Sequence, residues 1–584
     1  MRIIRLPAKF KPYVSKEEKE ILREFLRLTR RSFYFAGVLS FFINLLMLLP
    51  SIYMLAVYDI VVPSRSVESL IVITILIVAL YLFWAVLQML RSKILLRIHN
   101  KLDNFYNQNV INATFEFGLK YPTKASIQPI TDFNQIKQFL TSPTLTAFFD
   151  LPWVPIYFIT LCIFHIYYGI WAILVLIVII SITILNELTT RKSLKEANES
   201  QISSNKFLTH LIQNVEIIEA MGMRERVYKK WFENYHKKYM VLFQRANDRG
   251  AFWSNFSRVT RVMSQSLIYG VGGFLAINLK ITGGMIVAGA ILLGRVLSPI
   301  DILISTWRNF VSARLSYRRL SQLLQEMEAV KAPSVKLPPP RGEILVRNLV
   351  VIPPEGSEPV IKNISLKINP GELVVIIGPS GAGKTSFIKA LLGIWPATSG
   401  EVCIDGASLS QWPREYLGQF IGYLPQDIEL FEGTVAENIS RFEEVDSEKV
   451  IQAAMLAGVH EIIVKFPKGY DTYIGPGGIT LSAGQRQRIG LARALYGDPR
   501  IVVLDEPNSN LDDAGEAALH QALLKLKEKE ITTIVISHKV SILNIADKIA
   551  IIRDGVLVIY DNARKVIEAL KKTQAHPVRR FMTN

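Results

Sequence analysis

The sequence predicts a membrane protein in which a helical membrane domain is followed by a soluble α/β domain. Half of its 584 residues are hydrophobic and the mean hydropathy is +0.26, which is high for a soluble enzyme. The apolar excess lies in the first 305 residues. In the second half, an apolar strand leads directly into a glycine-rich loop and a helix. A chain of this length holds more than one core, so several domains are expected.

Six apolar runs predict six membrane-spanning helices, since a bilayer core is crossed by about 20 mostly apolar residues. The run 151–186 carries no charge and is long enough for two spans, with His165–Gly169 as the turn between them. The sixth run contains Arg295 and Asp301. Ionisable residues at membrane depth are costly, so Arg295 either lines a pore or has a structural place, in which it snorkels or pairs with another residue. The predicted spans lie in 32–58, 69–90, the two halves of 151–186, 262–279 and 285–305.

The charge distribution predicts that both termini are cytoplasmic. The net charge is +17, and residues 1–31 carry ten basic and four acidic side chains directly before the first apolar run. An even number of spans places both ends on one side, which the positive-inside rule makes the cytoplasm. Nucleic-acid binding is the other interpretation of a basic chain. No run interleaves basic residues with exposed aromatics, so we expect no nucleic-acid partner.

The N-terminal residues lack the apolar region of a cleavable signal peptide. Ser15 followed by Glu18 is typical of a capping box, which would open an amphipathic helix from Lys16 to about Arg31. We expect this segment to lie on the membrane or against the protein. The two cysteines, Cys162 and Cys403, show neither a plausible disulfide nor metal-ligand spacing.

Composition divides the chain into five parts. Two polar stretches, 91–150 and 187–261, are helix-rich and would carry the membrane helices out into the cytoplasm. A proline-rich stretch marks the linker between the two large domains. The predicted parts are an N-terminal segment 1–31, a transmembrane domain 32–331, a linker 332–342, a nucleotide-binding domain 343–565 and a basic C-terminal tail 566–584.

The glycine-rich loop predicts a site for a nucleoside triphosphate. Leu373 to Ile377 is a buried type of strand, and Thr385 to Leu392 is the expected helix after the loop. Glycines let the backbone approach phosphate, and the helix N-terminus favours the anion. Lys384 is expected to reach the β- and γ-phosphates, and Thr385 to bind Mg²⁺. The candidate ATP-binding residues of this loop are Gly378, Pro379, Ser380, Gly381, Ala382, Gly383, Lys384, Thr385 and Ser386.

Two carboxylates end a second buried strand, Ile501 to Leu504. Asp505 fits the acid that holds Mg²⁺ in a P-loop ATPase. Glu506 is placed to polarise the attacking water. An acidic pair after a strand could simply start a helix, but the upstream P-loop makes the catalytic interpretation the stronger one.

With these motifs, residues 343–565 resemble the nucleotide-binding domain of ABC transporters. The resemblance extends to Gln426 in the Q-loop, Leu481–Gln485 in the signature, Ser509–Asp512 in the D-loop and His538 in the H-loop. It implies that Gln426 links the metal and the γ-phosphate side to the membrane domain, and that His538 contacts the γ-phosphate. It also implies that signature and D-loop residues complete the ATP site of a partner copy. These candidates are Ser482, Gly484, Gln485 and Asp512.

The chain departs from the family pattern in two places. The signature has Ala483 where the family usually has glycine, and a methyl group is tolerable there if φ is negative. The stretch Asn348 to Pro354 lacks the aromatic residue that usually stacks on adenine. Ile352 or Pro353 would offer an apolar contact instead, with weaker selection of the base.

The membrane half resembles type I secretion ATPases, most closely the PrtD-like group that secretes proteases and lipases. That group lacks an N-terminal peptidase-like domain, for which the roughly 30 residues before the first span leave no room. The resemblance implies a homodimer in the bacterial inner membrane that exports an unfolded polypeptide carrying a C-terminal signal. It further implies a membrane-fusion protein and an outer-membrane channel as partners. The segments that carry it are 49–66, 149–155, 218–223 and 291–301.

Three other functions were weighed. An exporter of lipid, drug or haem would have the same domain architecture but no outer-membrane partners, and it is the main alternative. A channel or receptor that uses ATP only for gating is disfavoured by the intact Glu506 and His538. A soluble ABC ATPase acting on DNA or ribosomes is excluded by the six apolar runs.

Overall fold

The computed structural model describes residues 18–328 and 337–575, which cluster into two compact units. Within this range, the first unit takes residues 18–118 and 125–328, and the second takes 119–124 and 337–575. Ser15, and with it the proposed capping box, lies outside the described residues. So do residues 332–336 of the predicted linker and the last nine residues of the predicted tail.

Long helices build the first unit. At 1.5 Å per residue, the 54 residues of Val67–Lys120 measure ~80 Å, far more than the ~30 Å of a bilayer core. Ile166–Gln213 and Lys237–Ile277 also exceed that length, as the helix-rich polar stretches predict. The helices are α1 Glu18–Leu46, α2 Leu49–Ala56, α3 Val62–Ser64, α4 Val67–Lys120, α5 Gln128–Leu140, α6 Pro143–Asp150, α7 Val154–Phe164, α8 Ile166–Gln213, α9 Val215–Ala220, α10 Arg224–Trp231, α11 Lys237–Ile277, α12 Gly283–Ser305 and α13 Trp307–Glu328.

Five helical segments of the described chain are long and apolar enough to cross a membrane, by length and composition. They coincide with five of the six predicted runs. The break predicted inside 151–186 occurs at His165, whose extended backbone separates α7 from α8. Its ring Nδ1 accepts a hydrogen bond from the Tyr167 N–H at 3.2 Å and so caps α8. The five segments are Thr29–Ser64, Val67–Lys120, Pro143–Phe164, Ile166–Gln213 and Gly283–Ser305.

The predicted span at 262–279 is not among these five. It lies in α11, which ends at Ile277, so the helix itself forms as predicted. Arg261, Ser264 and Gln265 interrupt its apolar residues and lower its hydropathy below that of the other spans. Two of its four buried residues, Ser264 and Gly272, are small or polar, and the other two are Ile268 and Leu275. Apolarity alone therefore does not identify this helix as a span.

The core of the membrane unit is formed by α7, α8, α11 and α12. Tyr168 of α8 is fully buried at its centre. The glycines Gly272 and Gly289 make room for its ring, since a Cβ at these positions would lie 2.4 Å from the Tyr168 hydroxyl and 3.1 Å from the ring, respectively. Close packing against small residues is how helices associate where no hydrophobic driving force acts between them.

A buried ion pair links four helices of this unit. Arg91 of α4 donates to the Asp150 carboxylate at 2.6 Å, and their side chains are only 6% and 15% exposed. The Asn44 amide of α1 donates to the same oxygen at 2.9 Å. The Tyr157 hydroxyl of α7 donates in turn to Asn44 Oδ1 at 2.8 Å. Asp150 thus gives the segment 149–155 an architectural role.

The two ionisable residues of the predicted sixth span differ in their surroundings. Asp301 pairs with Arg261 of α11 at 3.0 Å, which is a structural pairing. Arg295 contacts the Met47 sulfur at 3.9 Å and forms no ion pair within the described part of the chain. The pore hypothesis therefore applies to Arg295 alone.

In the second unit, a six-stranded sheet and a four-stranded antiparallel sheet enclose the core. The larger sheet has the order β12-β11-β3-β10-β9-β6, in which only the edge strand β12 runs antiparallel to its neighbour. The smaller has the order β2-β1-β4-β5. The strands are β1 Ile344–Val351, β2 Ile361–Ile368, β3 Leu373–Ile377, β4 Ser399–Ile404, β5 Ala407–Ser408, β6 Ile421–Leu424, β7 Gly433–Thr434, β8 Tyr473–Ile474, β9 Ile501–Asp505, β10 Thr532–Ile536, β11 Lys548–Arg553 and β12 Val556–Asn562.

Helices cover the parallel sheet and extend the unit past its predicted end. Ala563 and Val566 of the last helix pack on Ile549 of β11, so this helix crosses the boundary predicted at residue 565. The helices are α14 Lys384–Leu391, α15 Arg414–Gly418, α16 Val435–Ile439, α17 Ser447–Leu456, α18 His460–Val464, α19 Ala483–Leu495, α20 Asp513–Glu528, α21 Val540–Ile545 and α22 Ala563–Ala575.

The buried Arg91–Asp150 pair yields a stability prediction. Arg91→Met leaves the Asp150 charge buried without its partner, which should lower the free energy of unfolding by about 3–5 kcal/mol. Arg91→Met combined with Asp150→Leu should recover much of that loss, because an apolar pair of similar volume carries no uncompensated charge. Denaturant unfolding of the detergent-solubilised protein measures both.

Lys192→Met is the matched control, because Lys192 forms an exposed pair with Glu196 that is 89% and 44% exposed. It should change the unfolding free energy by less than about 1 kcal/mol. Equal losses in the single and double variants would show that volume, not charge, determines the effect.

Candidate functional site

The candidate ATP site lies at the carboxyl ends of four adjacent parallel strands. The register aligns these ends: Leu424 of β6 is opposite Leu504 of β9, and Asp505 is opposite Ile536 of β10. Ile536 is in turn opposite Ile376 of β3. The loops that follow the four strands carry Gln426, the pair Asp505 and Glu506, His538 and the glycine-rich loop. The structure therefore brings together all the motifs predicted to surround one bound nucleotide except the signature and D-loop candidates.

The glycine-rich loop has backbone angles that other residues rarely adopt. Gly381 and Gly383 have φ of +80° and +96°. A Cβ at Gly378 would lie 2.1 Å from the Ile552 carbonyl oxygen, so the loop can pass there only without a side chain. Gly383 immediately precedes α14. The loop N–H groups and the N-terminus of this helix form the type of cradle that binds phosphate.

Lys384 is the first residue of α14 and is 8% exposed. Its Nζ donates to the carbonyl oxygens of Gly378 at 2.7 Å and Pro379 at 2.9 Å. The ammonium group thus lies within the loop, where the phosphates of a nucleotide would be its alternative partners. Pro379 and Ser380 are exposed at the tip of the loop, whereas Ala382 is buried beneath it.

Asp505 is 1% exposed, and neither carboxylate oxygen accepts a hydrogen bond within the described residues. Burial raises the pKa of this carboxyl, and the Glu506 charge acts in the same direction. The Thr385 hydroxyl, which is close but outside hydrogen-bonding geometry, opposes the rise, as do the two nearby lysines of α14.

These residues fit a magnesium ion. A buried carboxylate without partners, next to a threonine hydroxyl, is costly unless a cation compensates it. Mg²⁺ prefers oxygen ligands and is commonly held by one or two carboxylates together with substrate phosphates. Among the described residues, no group of three or more His, Cys, Asp or Glu could hold a metal alone, so phosphate oxygens would have to complete this site.

Glu506 has a strained backbone, with φ of +50°. A non-glycine residue keeps such a conformation only where its surroundings hold it, commonly at functional sites. The Glu506 N–H donates to the Ile536 carbonyl of β10 at 3.1 Å. The Gln426 amide donates to its Oε2 at 3.2 Å. Gln426 thus touches the carboxylate proposed to act on water.

His538 follows β10 and is exposed. The preceding Ser537 donates from its hydroxyl to Asn508 Oδ1 at 2.9 Å, and its oxygen accepts the Lys539 N–H at 3.2 Å. The loop that carries His538 is therefore fixed to the segment after β9, which carries Glu506.

The signature residues begin helix α19. Ser482 is its N-cap and forms a capping box with Gln485, with hydrogen bonds of 3.2 and 2.9 Å. Ala483 is the first helical residue, is exposed and does not have a positive φ. The condition set by the sequence for tolerating this methyl group is met. A methyl group is not tolerated in the same way at Gly484, because a Cβ added there would lie 2.9 Å from the Asn510 carbonyl oxygen.

Asp512 is the N-cap of α20 and accepts the Gly515 N–H at 2.9 Å. It also pairs closely with Arg488 of α19. The Gly515 hydrogen bond holds the pKa of this carboxyl below its usual range, and the Arg488 charge contributes. These contacts are structural, and ATP contact by Asp512 remains a prediction.

Two residues of this region escaped the sequence analysis. Gln487 of α19 is buried and binds the segment that follows β9. Arg441 has φ of +59° and donates only to backbone carbonyls, which fixes the carboxyl end of α19. Neither belongs to a recognisable motif, because their partners are distant in sequence. The carbonyls that Arg441 binds belong to Gly418, Ile421, Arg493, Ala494 and Tyr496.

The stretch proposed to contact adenine follows β1. Ile352 and Pro353 are half-buried, and the Ile352 N–H donates to the Thr398 hydroxyl at 3.1 Å. Their contact with the base stays a prediction.

Gly484 and Ala483 offer a matched pair for mutagenesis. Gly484→Ala should lower the ATPase rate about tenfold or more, because its methyl group displaces the Asn510 backbone and shifts the signature. Ala483→Gly should leave the rate close to that of the wild type, since the position is exposed and has helical backbone angles. Steady-state phosphate release at saturating MgATP measures both. A larger loss in Ala483→Gly than in Gly484→Ala would contradict this.

Comparisons with known proteins agree with this geometry. Residues 361–509 match the family model described as ABC transporter. The chain is 39% identical over 551 residues to the type I secretion system ATP-binding protein PrsD of Rhizobium meliloti (strain 1021), covering 94% of each protein. It is 28% identical to the leukotoxin export ATP-binding protein LtxB of Aggregatibacter actinomycetemcomitans, over 91% of this chain and 75% of that protein.

The fold also matches a solved structure. A bacterial Atm1-family ABC exporter with ATP bound superposes with a TM-score of 0.79 over 94% of this chain and 99% of its own, at 20% identity. That likeness shows the fold alone, and it confirms the predicted exporter architecture. The 39% identity to PrsD along nearly the whole chain shows that this protein belongs to the type I secretion family of ABC transporters, whose members couple ATP hydrolysis to export.

Proposed function

We propose that this protein exports an unfolded polypeptide with a C-terminal signal across the bacterial inner membrane. The observation that carries the proposal is the 39% identity to a type I secretion protein, because it spans the membrane domain as well as the ATPase domain. A membrane-fusion protein and an outer-membrane channel would complete the conduit. On this proposal, both termini are cytoplasmic and the long α4, α8 and α11 extend beyond the bilayer on that side.

A homodimer is the proposed active unit, with ATP held between the P-loop of one copy and the signature of the other. Ser482 supports this, because it is exposed at the N-terminus of the 13-residue helix α19, a favourable place for a phosphate. Its Oγ already accepts the Gln485 N–H, so its hydroxyl hydrogen remains to donate to a partner's nucleotide. The same nucleotide of the partner copy would also be contacted by Gly484, Gln485 and Asp512.

Each residue of the site has a proposed part in binding or hydrolysis. Lys384 exchanges its loop carbonyls for the β- and γ-phosphates, while the N–H groups of 378–386 hold them. Thr385, Asp505 and Gln426 would hold Mg²⁺, which neutralises charge on the phosphates. Glu506 orients and polarises the attacking water, with Gln426 steadying its carboxylate. His538 contacts the γ-phosphate.

Glu506→Gln tests the catalytic assignment. It should abolish nearly all hydrolysis while ATP binding persists, because the amide cannot polarise water but fits the same space. The expected product is an ATP-bound dimer, detected by size-exclusion chromatography with light scattering. Glu528→Gln, at an exposed position of α20, is the control and should hydrolyse normally. Hydrolysis at the wild-type rate in Glu506→Gln would remove Glu506 from this role.

Substrate class is tested by reconstituting the purified protein in nanodiscs. Its ATPase rate should respond to the C-terminal peptide of a co-encoded secreted protein and not to added lipids or drugs. The reverse response would favour the alternative, an exporter of lipid, drug or other small molecule.

In cells, Arg295→Ala should slow secretion while basal ATP hydrolysis stays near normal, since Arg295 has no ion-pair partner among the described residues. Unchanged secretion would exclude a pore role.

A further inference from the structure

Gln487 is a buried glutamine on the signature helix, 2% exposed and two residues after Gln485. Its Nε2 donates to the Pro507 carbonyl at 2.6 Å and to the Glu506 carbonyl at 3.3 Å. Its Oε1 accepts the Asn510 N–H at 3.2 Å. Both ends of the amide therefore bind one short segment, 506–510, which directly follows β9.

That segment has a conformation that must be held in place. Glu506 has φ of +50°, and its N–H is fixed by Ile536 of the neighbouring strand. On the other side of the same residue, Gln487 binds the carbonyls of Glu506 and Pro507. The peptide that positions the Glu506 side chain is thus held by the sheet on one side and by α19 on the other.

A second contact connects the same helix face with the same segment. Gly484 is three residues before Gln487, so both project from one face of α19. A Cβ at Gly484 would lie 2.9 Å from the Asn510 carbonyl oxygen, and the Asn510 N–H is bound by Gln487. The signature end of α19 therefore packs closely against segment 506–510.

We propose that Gln487 is a positioning residue for ATP hydrolysis. It holds the Glu506 backbone so that the carboxylate is aimed at the attacking water, and it ties that backbone to the helix that begins at Ser482. A shift of the signature helix on contact with the partner's nucleotide would thereby move the Glu506 backbone. The inference rests on the proposed function in one respect, the assignment of Glu506 as the residue that polarises water.

A purely structural role is the competing explanation, because buried amides need hydrogen-bond partners wherever they lie. The two explanations differ in their kinetic consequences. A positioning residue changes the rate of the chemical step, whereas a residue that only maintains the fold changes stability and nucleotide binding together.

The experiment uses the full-length detergent-solubilised protein and measures kcat, KM for ATP and thermal unfolding. Gln487→Leu has a similar size but cannot form hydrogen bonds. It should lower kcat about tenfold to a hundredfold, the effect of misplacing a reacting group by a fraction of an ångström to one ångström, with KM within about threefold. Gln452→Leu is the matched control, at an exposed position of α17, and should retain the wild-type kcat.

Gln487→Glu adds a readout that a merely structural role does not move. An ionised carboxylate would repel the carbonyls of Glu506 and Pro507, whereas a protonated one can donate to them. Burial favours the neutral form of the carboxyl introduced by Gln487→Glu, and lowering the pH increases the protonated fraction. Its kcat relative to the wild type should therefore rise as the pH is lowered from 8 to 6. Gln487→Leu should show no such rise.

Three outcomes bear on the proposal. Loss of kcat at preserved KM in Gln487→Leu, with the pH-dependent recovery of Gln487→Glu, supports it. A wild-type kcat in Gln487→Leu overturns it, and so does a loss of ATP binding and thermal stability that accounts for the whole decrease. Glu506→Gln, assayed in the same series, separates the two hypotheses: full activity there overturns the proposed role of Glu506, whatever Gln487→Leu shows.

Discussion

The parallel pairing of β3, β10, β9 and β6 is the constraint on which the candidate site depends. Each strand ends at the same edge of the sheet, so four segments far apart in sequence contribute neighbouring loops. The sheet can supply this alignment because β3, β9 and β10 are almost entirely buried and therefore have one favourable register. The candidate site residues lie at or directly after the carboxyl ends of these strands. The chemistry is concentrated at that edge because the rest of the sheet excludes it.

Three features of the site are unfavourable in the protein alone, and the proposed binding of phosphate and magnesium accounts for two of them. Asp505 is buried without a hydrogen bond in the described residues, Glu506 has a strained backbone, and Lys384 has only loop carbonyls as partners. Each of these costs free energy in the protein alone. A magnesium–triphosphate complex supplies a cation for the first and anionic oxygens for the third. In the membrane unit, by contrast, each of these carboxylates has an arginine partner: Asp150 pairs with Arg91 and Asp301 with Arg261.

The sequence sufficed for features that are encoded locally. The glycine-rich loop, the acidic pair that ends β9 and the break at His165 all depend on residues within one turn or loop, and the structure has each where it was predicted. Features that depend on distant pairs could not be predicted. Arg91 and Asp150 are 59 residues apart, and Gln487 and Pro507 are 20 apart, in patterns that no local periodicity reveals. The helix at 262–279 was assigned from its lack of charge, which overlooks the serines and glutamine that lower its hydropathy.

The absence of an aromatic residue at the proposed adenine contact matters more when that contact is compared with the proposed phosphate-binding loop. Ile352 and Pro353 are half-buried and offer only a small apolar surface, whereas the glycine-rich loop presents backbone N–H groups at a helix N-terminus. Stacking recognises a base, while backbone N–H groups and a helix dipole recognise charge without regard to the base. On the proposed function, the site therefore recognises the triphosphate of the nucleotide more strongly than its adenine. Gln426 contacts the Glu506 carboxylate, and Gln487 of the signature helix binds the Glu506 backbone. The residue proposed to act on water is therefore held by two elements outside the glycine-rich loop.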